Sequence, residues 1–393
     1  MQQDDIVIVS AARTPMGGFQ GDLAPVSAPE LGAQAIKAAV ARAGIDASAV
    51  NEVLMGCVLP AALGQAPARQ AALGAGLPLS AGATTLNKVC GSGLKTVMFG
   101  HDLLQAGSAD VIVAGGMESM SNAPYVLPQA RQGYRMGHAQ MLDHMMFDGL
   151  EDAYDKKAMG CFAQVTADDY GFSREAMDAF AIRSLERAQQ AIAKGAFEQE
   201  IEPVTFTTRK GDVTVSIDEQ PGKARIDKIP QLRPAFAKDG TVTAANSSSI
   251  SDGAAAVVLM RASDAKAQGL KPMAKIVSHA TFARKPSEFT IAPVGAMQMA
   301  LDKAAWSKDD VDLWEINEAF AMVTMLAIKE MQLDADKVNV HGGACALGHP
   351  IGASGTRILV TLLHALAQHG KKRGLASLCI GGGEAVALAV ELV

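Results

Sequence analysis

The chain has 393 residues, 49% of them hydrophobic but only 5% aromatic, and 35 Lys and Arg against 41 Asp and Glu give a formal net charge of −6. That length predicts two or three domains, and an apolar mass of Ala, Val, Leu and Met suits close helix–sheet packing in α/β layers. A mildly acidic chain with interspersed charges excludes a nucleic-acid or generic polyanion binder, and no apolar run approaches the ~18 residues that would cross a membrane.

Taken in chain order, Ile6 begins a strand after a short polar lead. Ala24-Pro25-Val26 precedes a helical segment, and Val50 to Gly56 reads as a strand. A β-branched and apolar stretch then meets a glycine-punctuated helix start in Thr85-Leu86-Asn87-Lys88-Val89-Cys90-Gly91-Ser92-Gly93-Leu94. Leu94, Val97, Met98, Leu103 and Leu104 fall at helical spacing, which predicts a helix over Leu94 to Ala106. Val111 to Gly116 is a continuous apolar run, as expected of a strand covered on both faces. Residues 119–249 differ, being richer in Met, Gln and charge. Within them Ser173 caps an amphipathic helix running to Lys194, with Glu175 in its first turn and Gly195 after its end.

The last third echoes the first. Ala292-Pro293-Val294 follows Ala24-Pro25-Val26 at 268 positions, Val311 to Asn317 follows Val50 to Gly56 at 261, Ser354-Gly355 follows Ser92-Gly93 at 262, and Ser377 to Gly382 follows Val111 to Gly116 at 266. Four anchors in order, with offsets drifting by only a few residues, predict a duplicated α/β unit with a shared helix layer.

Five cysteines at irregular spacing make no disulfide framework and favour a reduced, cytoplasmic setting, with a processed organellar enzyme as the alternative. Cys90 stands out because the unpaired N–H groups and positive dipole end of a following helix favour its thiolate. His341 to Gly355 and Leu378 to Glu384 place His349 and Cys379 in glycine-rich turns, and Asn317 ends an apolar run in Glu315-Ile316-Asn317-Glu318-Ala319-Phe320. Singly, each has an ordinary structural reading: a core cysteine, a turn histidine, a cap asparagine. Gly91-Ser92-Gly93-Leu94-Lys95-Thr96 fails as a phosphate-binding loop because Leu94 stands where glycine must precede lysine. Cys345 and His349 have half a zinc-site spacing with no second pair, so no metal is expected.

With these three motifs in order, the chain strongly resembles the thiolase family, the acetyl-CoA C-acetyltransferases and 3-ketoacyl-CoA thiolases, over nearly its whole length. The resemblance implies five layers, α-β-α-β-α, with residues 1–118 and 250–271 forming one half, 272–393 the other, and 119–249 an inserted loop domain over the active site. It implies CoA thioesters as substrates with no cofactor, and association as a homodimer or homotetramer, in part through Ala123 to Met146. It assigns Cys90 as nucleophile, His349 as its base and an oxyanion donor, and Cys379 as the group exchanging the α-proton. Asn317 with a water would complete one oxyanion hole, and the N–H groups of Cys90 and Gly381 the other. For substrate contacts it points to Leu150, Met159, Phe236, Ala244, Ser248, Ala319 and Phe320.

Three departures bear on the substrate. Ala158-Met159-Gly160 lacks the histidine common in acetoacetyl-type members, and Ser249 replaces a glycine. No arginine stands near Pro221 for the adenine end, leaving Lys223 or Arg225 as substitutes. The expected activity is condensation of two acetyl-CoA to acetoacetyl-CoA, or its thiolytic reverse, through acyl-Cys90. A broader 3-ketoacyl-CoA thiolase and a noncatalytic acyl-CoA-binding protein are the alternatives. A decarboxylating β-ketoacyl synthase would want a histidine where Cys379 stands.

Overall fold

Two helices lie at the centre of the molecule, Ser92–Gln105 and Ser354–Gln368, and everything else is arranged about them. The protein is described by a computed structural model covering residues 4–393. One sheet face is made by strands Gly82–Leu86, Glu52–Gly56, Val111–Ser119, Ser251–Arg261 and Ile6–Arg13, in that spatial order. The first three run parallel, Ser251–Arg261 joins Val111–Ser119 antiparallel, and Ile6–Arg13 in turn pairs antiparallel with Ser251–Arg261. The other face has the same plan. Leu313–Ile316 pairs parallel with Arg373–Ile380, followed antiparallel by Glu384–Leu392 and Ala274–Ala283. A single bridge between Trp314 and Val338 stands where the first half has its edge strand.

The central helices bury Leu94, Val97, Met98, Ile358, Leu359 and Leu362 in one cluster with residues from both sheet faces, such as Ile112 and Leu388. Outside, Ala28–Ala43 and Pro67–Gly74 cover the first half, while Ala292–Ala304 and Ala321–Met331 cover the second. The five layers α-β-α-β-α are therefore present. The two β layers are not separate sheets, however. Val7 pairs with Lys275 and Ile8 with Ala274, which hydrogen-bonds them along an edge into one ten-stranded sheet.

Register refines the repeat. Glu52 pairs with Ile112 and Leu313 with Gly374, so the strand from Val111 corresponds to that from Arg373 at an offset of 262, not 266. Likewise Ala292-Pro293 opens its helix, and its counterpart is Ala28-Pro29, not Ala24-Pro25. The first helix starts later than the sequence suggests because Ser27 and Glu30 form a capping box. Both corrections bring the offsets closer together.

Between the halves, the predicted helix is Arg174–Ala193, with Ser173 Oγ accepting the Ala176 N–H. Arg13 ties this inserted segment to the first strand. Its guanidinium, fully buried, reaches Glu200 at 2.6 Å and both carboxylate oxygens of Asp218 at 2.7 and 2.9 Å. A buried cation with both partners in place is costly to disturb.

Candidate active site

Cys90 precedes the first central helix and His349 the second, so the duplication brings a thiol and an imidazole to one cavity of about 400 Å³. Cys379, at the end of strand Arg373–Ile380, and Gly381 reach the same cavity. Its remaining wall is largely apolar and comes mostly from the inserted segment. Leu150, Met159, Phe236, Ala244 and Ser248 lie there, with Ala319 and Phe320 from the second half. Asn317 is not on the wall; it lies behind it, with Nδ2 3.4 Å from His349 Nε2.

The turn that presents Cys90 is strained. Val89 has φ +45°, a left-handed conformation that a β-branched residue rarely adopts. The Asn87 side chain accepts the Val89 N–H at 2.9 Å, and the Ser92 hydroxyl bonds both the Lys88 N–H and the Val89 carbonyl. Two polar side chains thus hold a conformation that the backbone alone disfavours. The dipole argument for a thiolate is outweighed here. Burial pushes the Cys90 thiol up to about 11, opposed by the N–H groups of Gly381 and of Cys90 itself, so the thiol form prevails. Those two amides are the pair anticipated as an oxyanion hole. Burial also raises the Cys379 thiol, as does the nearby Cys90, whose negative charge would oppose a second one.

His349 is neutral, and its tautomer follows from its neighbours. The Ser354 hydroxyl donates to the Pro350 carbonyl at 2.8 Å, which leaves its oxygen to accept from His349 Nδ1 at 2.5 Å. The proton therefore sits on Nδ1, and Nε2 carries a lone pair, facing the Asn317 amide. Burial, and then the Arg357 charge, depress the imidazole to about 3. Asn317 Oδ1 is buried without a partner among the described residues, which suits an ordered water.

Several shaping residues escaped the sequence reading. Glu118 is fully buried and accepts the N–H groups of Val58, Leu59 and Gly352 at 2.9–3.1 Å, fastening the loop after His349 to the first half. Asn339 bonds the backbone of Ile316 through both side-chain atoms and so fixes the stretch before Asn317. A lone acidic or amide residue in an apolar run was their only signal. The π-turn Met145–Leu150 brings Met146 and Gly149 to the wall, with Phe289 and Ile351 from elsewhere. Ala158 and Ser249 also line it. Cys345 does not join His349 in any metal set, since its thiol faces the Glu318 carbonyl. Lys223 is engaged by Glu219 and Asp22, and Arg225 by Asp227.

A duplicated α/β fold that delivers a cysteine and a histidine from the entrances of its two central helices to one apolar cavity defines an enzyme with a thiol-centred site. Residues 6–263 match the thiolase N-terminal domain and residues 270–392 the thiolase C-terminal domain. The chain is 54% identical over 389 residues to an acetyl-CoA acetyltransferase of Cupriavidus necator, covering 98% of this chain and 99% of that protein. It is 47% identical over 395 residues to one of Schizosaccharomyces pombe, covering all of both. The crystal structure of a thiolase from Ascaris suum in complex with coenzyme A superposes with a TM-score of 0.94 at 42% identity, over 99% of this chain and 100% of that one. The chain belongs to the thiolase family.

Proposed function

We propose that the protein is an acetyl-CoA acetyltransferase that condenses two acetyl-CoA to acetoacetyl-CoA and CoA, and runs the reverse thiolysis. The observation that carries this is the convergence of Cys90, Cys379, the Gly381 N–H and the unprotonated Nε2 of His349 on one cavity. His349 Nε2 takes the proton of Cys90, and the sulfur attacks the thioester carbonyl. The new bond is Cys90 Sγ–C, the bond broken is C–S of CoA, and the proton leaves with the CoA thiolate. The amides of Cys90 and Gly381 stabilise the tetrahedral oxyanion; one such donor is generally worth about 2.7–4 kcal/mol. Cys379 passes its thiol proton to His349 Nε2 and, as thiolate, removes an α-proton from a second acetyl-CoA, whose enolate oxygen is then held by the His349 Nε2–H with a water on Asn317. The enolate carbon attacks the acetyl carbonyl, the C–C bond forms as Cys90 Sγ–C breaks, and His349 returns its proton to the Cys90 sulfur while Cys379 keeps the α-proton, giving acetoacetyl-CoA.

The inserted segment 119–249 serves as cover for the acyl and pantetheine groups, with CoA thioesters as substrates and no cofactor. Exposed Leu127, Met136, Met141 and Phe147 within it support self-association as a homodimer or homotetramer, which light scattering would measure. Among the described residues no helix is long and apolar enough to cross a membrane, which is compatible with a cytoplasmic site of action.

The test is CoA-dependent thiolysis across a 3-ketoacyl-CoA series. Preference for acetoacetyl-CoA supports the short-chain reading. Ala158 on the cavity wall favours the second reading, a broader 3-ketoacyl-CoA thiolase, which a flat or rising kcat/KM profile would establish. Mass spectrometry after mixing with acetyl-CoA should find the acetyl group on Cys90. Its absence, with no turnover on any member of the series, would leave an acyl-CoA-binding protein.

A further inference from the structure

Towards the far end of the first central helix, away from Cys90, a second cluster joins the two halves of the molecule. His101 and Asp102 come from the helix Ser92–Gln105, and His279 comes from the strand Ala274–Ala283. His101 Nδ1 and Asp102 Oδ1 are 3.0 Å apart, His279 Nε2 lies 3.0 Å from the same oxygen, and the two ring nitrogens are 3.3 Å apart. The three atoms form a near-equilateral triangle. An ion about 2.1 Å from each, the usual metal–imidazole distance, would subtend angles of about 90–105°. That range lies between octahedral and tetrahedral. The rings stand nearly perpendicular, at 82°.

We propose that His101, Asp102 and His279 form a binding site for one divalent transition-metal ion of the zinc or cobalt class. Two imidazoles and one carboxylate are the donor set such ions take, and three protein ligands leave the remaining positions to water. Both histidines are mostly buried, at 20% and 16% side-chain exposure, whereas Asp102 at 54% keeps the ion's outer side open. His101 and Asp102 sit on a helix, and His279 on a strand where it pairs with Leu388 just past a bulge between Ile276 and Ser278, so the backbone holds the triangle in place. Two cations oppose it. Lys303 donates to the His279 carbonyl at 2.9 Å, and the Lys95 ammonium is close enough to interact with Asp102. They weaken the site without contributing a competing ligand. Occupation would clamp the first half's helix to the second half's strand, independently of the chemistry at Cys90.

The experiment is calorimetric titration of EDTA-stripped, dialysed protein with Zn²⁺, together with the visible spectrum of the Co²⁺ complex. The expected result is one saturable equivalent, a raised Tm, and a cobalt spectrum without a thiolate charge-transfer band. His101→Gln and His279→Gln should each weaken that binding at least about tenfold. Absence of saturable binding, a thiolate band, or unchanged affinity in either folded variant would overturn the assignment. The cobalt spectrum of the wild-type protein decides the matter even where both variants fail to fold.

Discussion

Val89, Cys90 and His349 put opposite demands on their surroundings. The nucleophile must be accessible, yet its pocket is dry enough to hold the thiol near a pKa of 11 and the imidazole near 3. Two neutral partners follow, not a thiolate–imidazolium pair. The rate of Cys90 alkylation by iodoacetamide should therefore climb about tenfold per pH unit towards pH 11, because the thiolate fraction does so below the pKa. A plateau near neutrality would show an ion pair instead. His349 stays unprotonated well into the acid range, so an acid limb of kcat/KM above pH 4 belongs to some other group. Ser354 positions the imidazole by accepting from Nδ1. Ser354→Ala should lower kcat by about tenfold or more, about 1.4 kcal/mol of barrier, with little change in KM. Ser354→Thr, which keeps a hydroxyl, should restore part of the loss. Cys90, Cys379 and His349 were legible in the sequence as residue types beside glycines. Ser354 was legible only as the start of a repeated helix, because its role depends on which ring nitrogen it meets.

The two central helices touch at their first turns, and glycine makes that approach possible. A Cβ on Gly355 would lie 2.3 Å from the Leu94 nitrogen, and one on Gly93 would lie 2.8 Å from Thr356 Oγ1 and 2.9 Å from its backbone nitrogen. Neither backbone atom can swing aside as a long side chain does. Gly355→Ala should destabilise the fold by about 1–3 kcal/mol, an overpacking cost measurable by chemical denaturation. It should also reduce turnover, since moving either helix start displaces Cys90 from His349. Elements of this kind were the most legible part of the chain. The helix from Ser173, the strand from Val111 and the paired Ser-Gly helix starts follow from caps, apolar runs and internal echo. What the echo misplaced were the anchors at Ala24-Pro25 and Ser377. A capping box and a parallel register settle those positions, and neither appears in the spacing of apolar residues alone.

At the scale of the whole molecule, the halves supply the reacting groups and the inserted segment supplies most of the volume around them. A duplicated core can be read from periodicity, because buried strands and helix faces must repeat. The inserted segment cannot, because its wall residues come from a π-turn, a helix start and two extended loops. Ala158 shows the consequence. It is the N-cap of the helix Met159–Asp169 and lines the cavity. A histidine there would fill space now open beside Met159 and Phe236. Each methylene of an acyl chain that loses its apolar contact forfeits about 0.8 kcal/mol, a factor of about four. Ala158→His should therefore leave acetoacetyl-CoA thiolysis within a few fold of the parent. It should depress kcat/KM for 3-ketoacyl-CoA esters two methylenes longer by about tenfold or more. Equal losses across the series would mean that the substitution disturbs the helix start, and that the acyl chain lies against another part of the wall.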